Sequence, residues 1–161
     1  MGRLDFSEMT CSVARTLEVV GDRWTLLILR DAFYGLRRFD EFSDNLGLSR
    51  NILTDRLNKL VGHGVMEKVA YQRRPTRYSY VLTEKGRALL GVVLAMMAWG
   101  DSWEGAGATP PVRLDHRSCG AERITPQVAC PACGEALRLG DVRARPVRIR
   151  GAREQADTLA S

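Results

Sequence analysis

No run of apolar residues in this chain approaches the roughly 18 to 20 that would span a bilayer. The opening "MGRLDFSEMT" also lacks the apolar centre of a secretory signal. The chain begins Met-Gly, yet Phe6 stands where a myristoylation signal requires Ser or Thr. Histidine is scarce, at two residues, and no Gly-rich loop is present that would cradle a phosphate. There is no internal repeat. These absences argue against a membrane-spanning or secreted protein and leave little for catalysis to use, so a cytoplasmic protein that is not an enzyme is expected. In a reducing cytosol the four cysteines are better read as thiols or metal ligands than as disulfides.

What is present suffices for a real core. The 161 residues, 45% apolar and 27% charged, accommodate one ordinary domain or a compact domain plus a small appendage. The formal net charge of +5 and pI near 9.3 suit a polyanionic partner such as nucleic acid. An excess this small also suits a soluble protein without one.

Turn signals divide the first hundred residues. "CSVARTLEVV" carries Val13, Leu17 and Val20 at helical spacing, with Gly21 as a stop. Asp22 can cap "RWTLLILRDAF", apolar nearly all round, as suits a helix at the centre of a domain. "FDEFSDNL" places Phe39, Phe42 and Leu46 on one face of a short helix. Gly47 and Leu48 make a tight connection, and Ser49 is a favoured N-cap for a helix whose inward stripe is Ile52, Leu53, Leu57, Leu60 and Val61. Beyond Gly64 the period changes to alternation. "VMEKVAYQ" and "RYSYVL" read as two strands, with Val65, Val69, Tyr78, Tyr80 and Leu82 as core-facing candidates. The turn between them holds Arg73, Arg74 and a stiffening Pro75. Thr83 can cap a last long helix, over 83–103, whose apolar residues cover more than one stripe, so one face needs another protein surface.

This order makes a mainly α protein with a small β-hairpin wing: a winged helix-turn-helix. In that arrangement the helix over 39–46 crosses the DNA backbone and the one over 49–61 enters the major groove. Without its apolar stripe the latter presents Ser49, Arg50, Asn51, Thr54, Asp55, Arg56, Asn58 and Lys59. Asn can bond adenine bidentately, Arg guanine, and a Thr methyl can touch thymine. Phosphate contacts fall to Arg50, Lys59 and the wing cluster Arg73, Arg74 and Arg77. Any amphipathic surface helix has a polar outer face, and it is the adjoining basic hairpin that favours DNA.

Cys11, "GDRWTLLILRD", "RRFDEF", "LSRNILTDRLNKL", "RRPTRYSYVLTEKGR" and the closing "WG" at Trp99 and Gly100, in this order, resemble the HxlR-type (MarR-like) family of bacterial winged-helix transcriptional regulators. The resemblance runs from residue 11 to about residue 100. It implies a homodimer joined through the N-terminal helix, about 8–20, and the C-terminal helix, 83–103, acting on an inverted-repeat operator as repressor or activator. It also makes Cys11 a candidate redox sensor. The plainer alternative, a small buried residue near the dimer interface, is favoured, because Arg15 is the one cationic neighbour to lower the thiol pKa. A small-molecule effector pocket between the dimer helices, lined by Trp24, Met96, Met97 and Trp99, is conceivable, although such residues more often form core.

"GAGATPP", residues 105–111, reads as a linker after a main domain over 1–104. The segment 112–143 holds His116, Cys119, Cys130 and Cys133 as H-x2-C and C-x2-C, spacing that lets paired ligands converge on a tetrahedral ion. Gly120 and Gly134 permit the turns this needs. A structural zinc in a small zinc-ribbon-like unit is expected, since about 30 residues with few large apolar side chains need a staple. Metal-free thiols, a Cys130–Cys133 disulfide or a chance match remain alternatives, and His116 is the least secure ligand. A catalytic deaminase zinc is rejected: Arg117 and Ser118 follow His116, so the required Glu is missing. The Arg-rich end, 144–161, reads as a loose tail that can contact flanking DNA. A protein-interaction module on the same scaffold, without DNA binding, is the alternative function.

Overall fold

The computed structural model describes residues 11–105 and 109–143. The order is α1 (Ser12–Val20), α2 (Arg23–Phe33), α3 (Phe39–Leu46), α4 (Arg50–Gly62), β1 (Met66–Arg73), β2 (Thr76–Leu82), α5 (Glu84–Arg87) and α6 (Leu90–Trp103). The start of the predicted first helix, the middle of the predicted linker and the Arg-rich tail lie outside the described residues.

Helix α2 is central, touching α1, α3, α4 and α6. Its start is fixed by Asp22, whose Oδ1 accepts from the backbone N–H of Trp24 and Thr25, both at 3.0 Å, while its Oδ2 accepts from the Thr25 hydroxyl. Ile28 and Leu29 from α2, Phe42 from α3, and Leu53, Leu57 and Leu60 from α4 are fully buried together. Each such side chain contributes about 1.5–3 kcal/mol. Near the end of α2, buried Asp31 receives Arg30 Nη2 at 2.7 Å and Asn45 Nδ2 at 2.7 Å. A carboxylate without water is thereby paired and hydrogen-bonded, and α3 is tied to α2.

Gly47, at φ +62°, makes the left-handed turn out of α3, a conformation that suits glycine. Ser49 is the N-cap of α4 as expected, although its hydroxyl makes no capping bond. Ile52 departs from the predicted inward stripe and is 41% exposed. It sits about 100° from Leu53 around the helix, and the core-facing arc is already filled by Leu53, Leu57 and Leu60.

The strands pair antiparallel, with Lys68 opposite Tyr80 and Ala70 opposite Tyr78, and a bulge falls between Ala70 and Gln72. Only the base of the hairpin reaches the core. Val65, Met66 and Tyr80 are buried, whereas the expected core candidates Val69 and Tyr78 are exposed. The ribbon extends past the helices it would pack on, so alternation persists without burial at its tip.

The predicted last helix is broken. Thr83 does cap, accepting from Gly86 N at 3.1 Å while its hydroxyl reaches Gly64 O at 2.7 Å. Gly86 lies so close to Val65 that a Cβ would stand 2.1 Å from the Val65 carbonyl oxygen. This pins α5 to the hairpin base. Leu89 N then donates to Gly86 O, three residues back, a tighter turn that precedes α6.

The chain divides into two compact units, Met1–Pro126 and Gln127–Ser161. In this division the stretch 112–126 groups with the first unit.

Candidate nucleic-acid interface

Helix α4 presents Asn51, Thr54, Asp55 and Asn58 on one exposed face, opposite its buried leucines. Ser49 and Arg50 are exposed at its start, and Lys59 is half-buried near its end. Arg50 Nη2 stands 3.1 Å from Asp40 Oδ1, and its guanidinium lies 5.4 Å from the Phe39 ring centroid. Both members of that pair are mostly exposed, so the bond holds the arginine only lightly.

Arg56 behaves differently. Its Nε stands 3.2 Å from Asp22 Oδ1 and its Nη1 2.8 Å from Asp55 Oδ2. Asp22 thus caps α2 and receives a cation from α4. The sequence grouped Arg56 with the polar outer face, but the structure turns its head toward the base of α2.

Arg73, Arg74 and Arg77 are exposed on the wing. Further groups escaped the sequence reading. Arg38 lies 5.0 Å from the ring centroid of Tyr71, the residue at the bulge, and Lys68 Nζ lies 4.2 Å from that of Tyr78. With Phe39, Arg50 and Arg77 these residues line a depression of about 310 Å³ between the starts of α3 and α4 and the wing. It holds four cations, Arg38, Arg50, Lys68 and Arg77, against Asp40 alone. The detectable signal was cross-strand pairing, since Lys68 and Tyr80 oppose one another. Glu41 fixes the approach to α3, accepting from Arg37 N and Arg38 N at 2.8 Å each, and those amides hold its carboxyl below the usual carboxylate range.

On the remaining surface, α1 exposes Val13 and Leu17, and α6 exposes Val92, Met96, Trp99 and Trp103, the last at 74%. These are large apolar groups that the described residues leave exposed. Met96 and Trp99 lie on that outer face, while Met97 and Trp24 pack against the core, so the four do not line the common pocket conceived from sequence. Cys11 is the N-cap of α1 and is exposed in the chain rather than buried. The backbone N–H groups of Ala14 and Val13 pull its thiol pKa down, with a smaller contribution from Arg15. The helix N-terminus thus outweighs Arg15, the one charged neighbour visible in sequence.

The two ligand pairs lie in separate units. In the first, His116 Nδ1 is 3.0 Å from Cys119 Sγ, His116 N donates to Ala121 O, and Gly120 N donates to His116 O with φ +71° at Gly120. In the second, Cys130 N donates to Glu135 O, Gly134 N donates to Cys130 O, and Gly134 has φ +78°. Donor and acceptor offsets are the same in both turns. Backbone amides of Ala132 and Cys133, together with the Cys133 side chain, lower the Cys130 thiol pKa. Among the described residues no group of three or more His, Cys, Asp or Glu is assembled that could hold a metal ion. No described helix is long and apolar enough to cross a membrane.

Comparison with known proteins matches residues 19–107 to the HxlR-like helix-turn-helix family. The chain is 44% identical over 135 residues to an uncharacterized HTH-type transcriptional regulator of Mycobacterium tuberculosis, covering 84% of this chain and 85% of that protein. Among solved structures it is similar to PA1607, described as a transcription factor, with 43% identity and a TM-score of 0.75, covering 86% of this chain and 96% of that one. It is also similar to the redox regulator HypR in its reduced form, at 33% identity and a TM-score of 0.54, over 57% of this chain and 92% of that one.

Proposed function

Since this chain belongs to the HxlR-like helix-turn-helix family, whose matched relatives are transcriptional regulators rather than enzymes, we propose that it regulates transcription by binding duplex DNA sequence-specifically as a homodimer on an inverted repeat. The observation that carries this reading is the union, through Arg50, of the exposed α4 face with the cationic depression beneath the wing. Asn51, Thr54, Asp55 and Asn58 have side chains suited to base edges, while Arg38, Arg50, Lys68, Arg73, Arg74 and Arg77 suit phosphates. Arg56 serves the fold. The uncovered apolar faces of α1 and α6 supply a dimer surface, and a two-fold dimer addresses half-sites about one helical turn apart.

Selection from a random duplex pool tests this. An enriched inverted repeat is expected, with binding lost when Arg50, Arg73 and Arg74 are neutralised. A folded, dimeric protein that enriches nothing at low salt would overturn the reading in favour of a protein-binding module.

Two finer roles belong to the same proposal. Structural zinc bound by His116, Cys119, Cys130 and Cys133 is supported by their spacing and by the matching hydrogen bonds of the two turns. Elemental analysis of the purified chain should find one zinc per chain, lost on Cys130→Ser with Cys133→Ser; metal-free wild type would refute it. Redox sensing by Cys11 is supported by its exposure at a helix N-terminus. Peroxide should release DNA from the wild type and leave Cys11→Ser bound, and equal release would end the idea.

A further inference from the structure

We infer that the cavity between α6 and the segment 109–126 is a binding site for a small amphipathic anion, an aromatic or aliphatic carboxylate. The cavity lies wholly within the first compact unit and encloses about 540 Å³, inside the range of small-molecule sites. Its apolar lining includes Met97 and Ala98 from α6 and Leu114 and Ile124 from the facing segment. Two cations, Arg113 and Arg123, line it against one carboxylate, Asp101.

The backbone that carries Arg123 is held in place. Arg123 has φ +54°, the one non-glycine at positive φ among the described residues. A bulky residue persists there only where its surroundings impose it. The constraint is visible: Arg123 N donates to Asp115 Oδ1 at 3.0 Å, and Ile124 N donates to Leu114 O at 2.8 Å. The same Asp115 oxygen stands 3.4 Å from Arg113 Nε. One carboxylate thus orders the backbone turn that carries Arg123 and pairs lightly, at the surface, with the Arg113 side chain, while the Arg123 guanidinium has no ion-pair partner among the described residues. A carboxylate offers two acceptors for such a fork.

The site does not compete with a partner protomer for α6. Ala98, Asp101 and Ser102 face the cavity, whereas Val92, Met96, Trp99 and Trp103 form the exposed stripe roughly opposite, at 100° per residue. Much of the cavity is built from residues beyond 107, where the family match ends. Binding is independent of the DNA reading above and is tested without DNA.

Titration calorimetry on the full chain with phenylbutyrate, and with phenylbutanol as its uncharged counterpart, decides the matter. Saturable binding of the carboxylate is expected, with the alcohol about tenfold weaker or worse. Arg123→Gln should weaken phenylbutyrate by a similar factor, Ser102→Trp should abolish binding by filling the cavity, and Arg23→Gln, away from the site, should change nothing. Circular dichroism checks that each variant is folded. Absence of binding, equal affinity for the alcohol, or an unchanged Arg123→Gln would each overturn the proposal.

Discussion

Replacing Arg56 separates a residue that reads DNA from one that holds the fold. Arg56→Met keeps the aliphatic stem and removes the guanidinium, and Asp22→Asn keeps a competent N-cap while removing the charge that Arg56 faces. The pair stands at 3.2 Å with side-chain exposures of 30% and 28%, between a free surface pair and a buried one. Surface pairs contribute at most about 1 kcal/mol, and Arg56 Nε, though 3.2 Å from Asp22 Oδ1, makes no hydrogen bond with it. Asp22 retains its bonds from Trp24 N, Thr25 N and the Thr25 hydroxyl when Arg56 is replaced, so the remaining coupling is placed at about 0.5–1 kcal/mol. A double-mutant cycle by urea denaturation measures it. DNA affinity against salt concentration supplies the second axis: Arg56→Met leaves the slope of log K unchanged, whereas Arg74→Gln lowers it by about 0.9 for each phosphate no longer neutralised. Coupling under about 0.3 kcal/mol together with a slope change equal to that of Arg74→Gln would refute the reasoning.

Four further substitutions probe the packing and the helix entry. Asn45→Ala strips Nδ2 from the buried Asp31 Oδ2 and should cost about 1–3 kcal/mol by denaturation, and a loss near zero would mean that water replaces it. Gly86→Ala meets the Val65 carbonyl at 2.1 Å and should destabilise by about 1–3 kcal/mol or more. Gly47→Ala meets nothing within 4 Å and should show only the cost of its left-handed conformation, about 1–2 kcal/mol, so a loss larger than that of Gly86→Ala would contradict the packing account. Because Arg37 and Arg38 amides depress the Glu41 pKa, its stabilisation is present above the ordinary carboxylate range and is lost as pH falls through the lowered folded value. Glu41→Gln should flatten acid unfolding in that window, and an unchanged pH profile would show these hydrogen bonds to be inconsequential.

Much of the scaffold was legible because its signals are local. Asp22 as cap, the tight connection at Gly47 and Leu48 and the 39–46 helix all depend on a few consecutive residues, and the structure places them as read. Ile52, Val69 and Tyr78 were misassigned for one physical reason: periodicity states which residues share a face, not how far the opposing surface extends. Arg38 and Tyr71 were missed because a cation–aromatic contact between a helix start and a strand bulge leaves no regular spacing in sequence.

The sequence alone determined the helix-turn-helix order, the basic wing, the paired metal-type ligands and the family, since each rests on residue type at short spacing. Tertiary structure alone decided that Arg56 turns to Asp22, that Gly86 seats α5 against Val65, and that Asp115 meets both the Arg113 side chain and the Arg123 backbone beside a cavity. Those outcomes depend on distances between elements far apart in the chain, and a short pattern of residue types does not contain them.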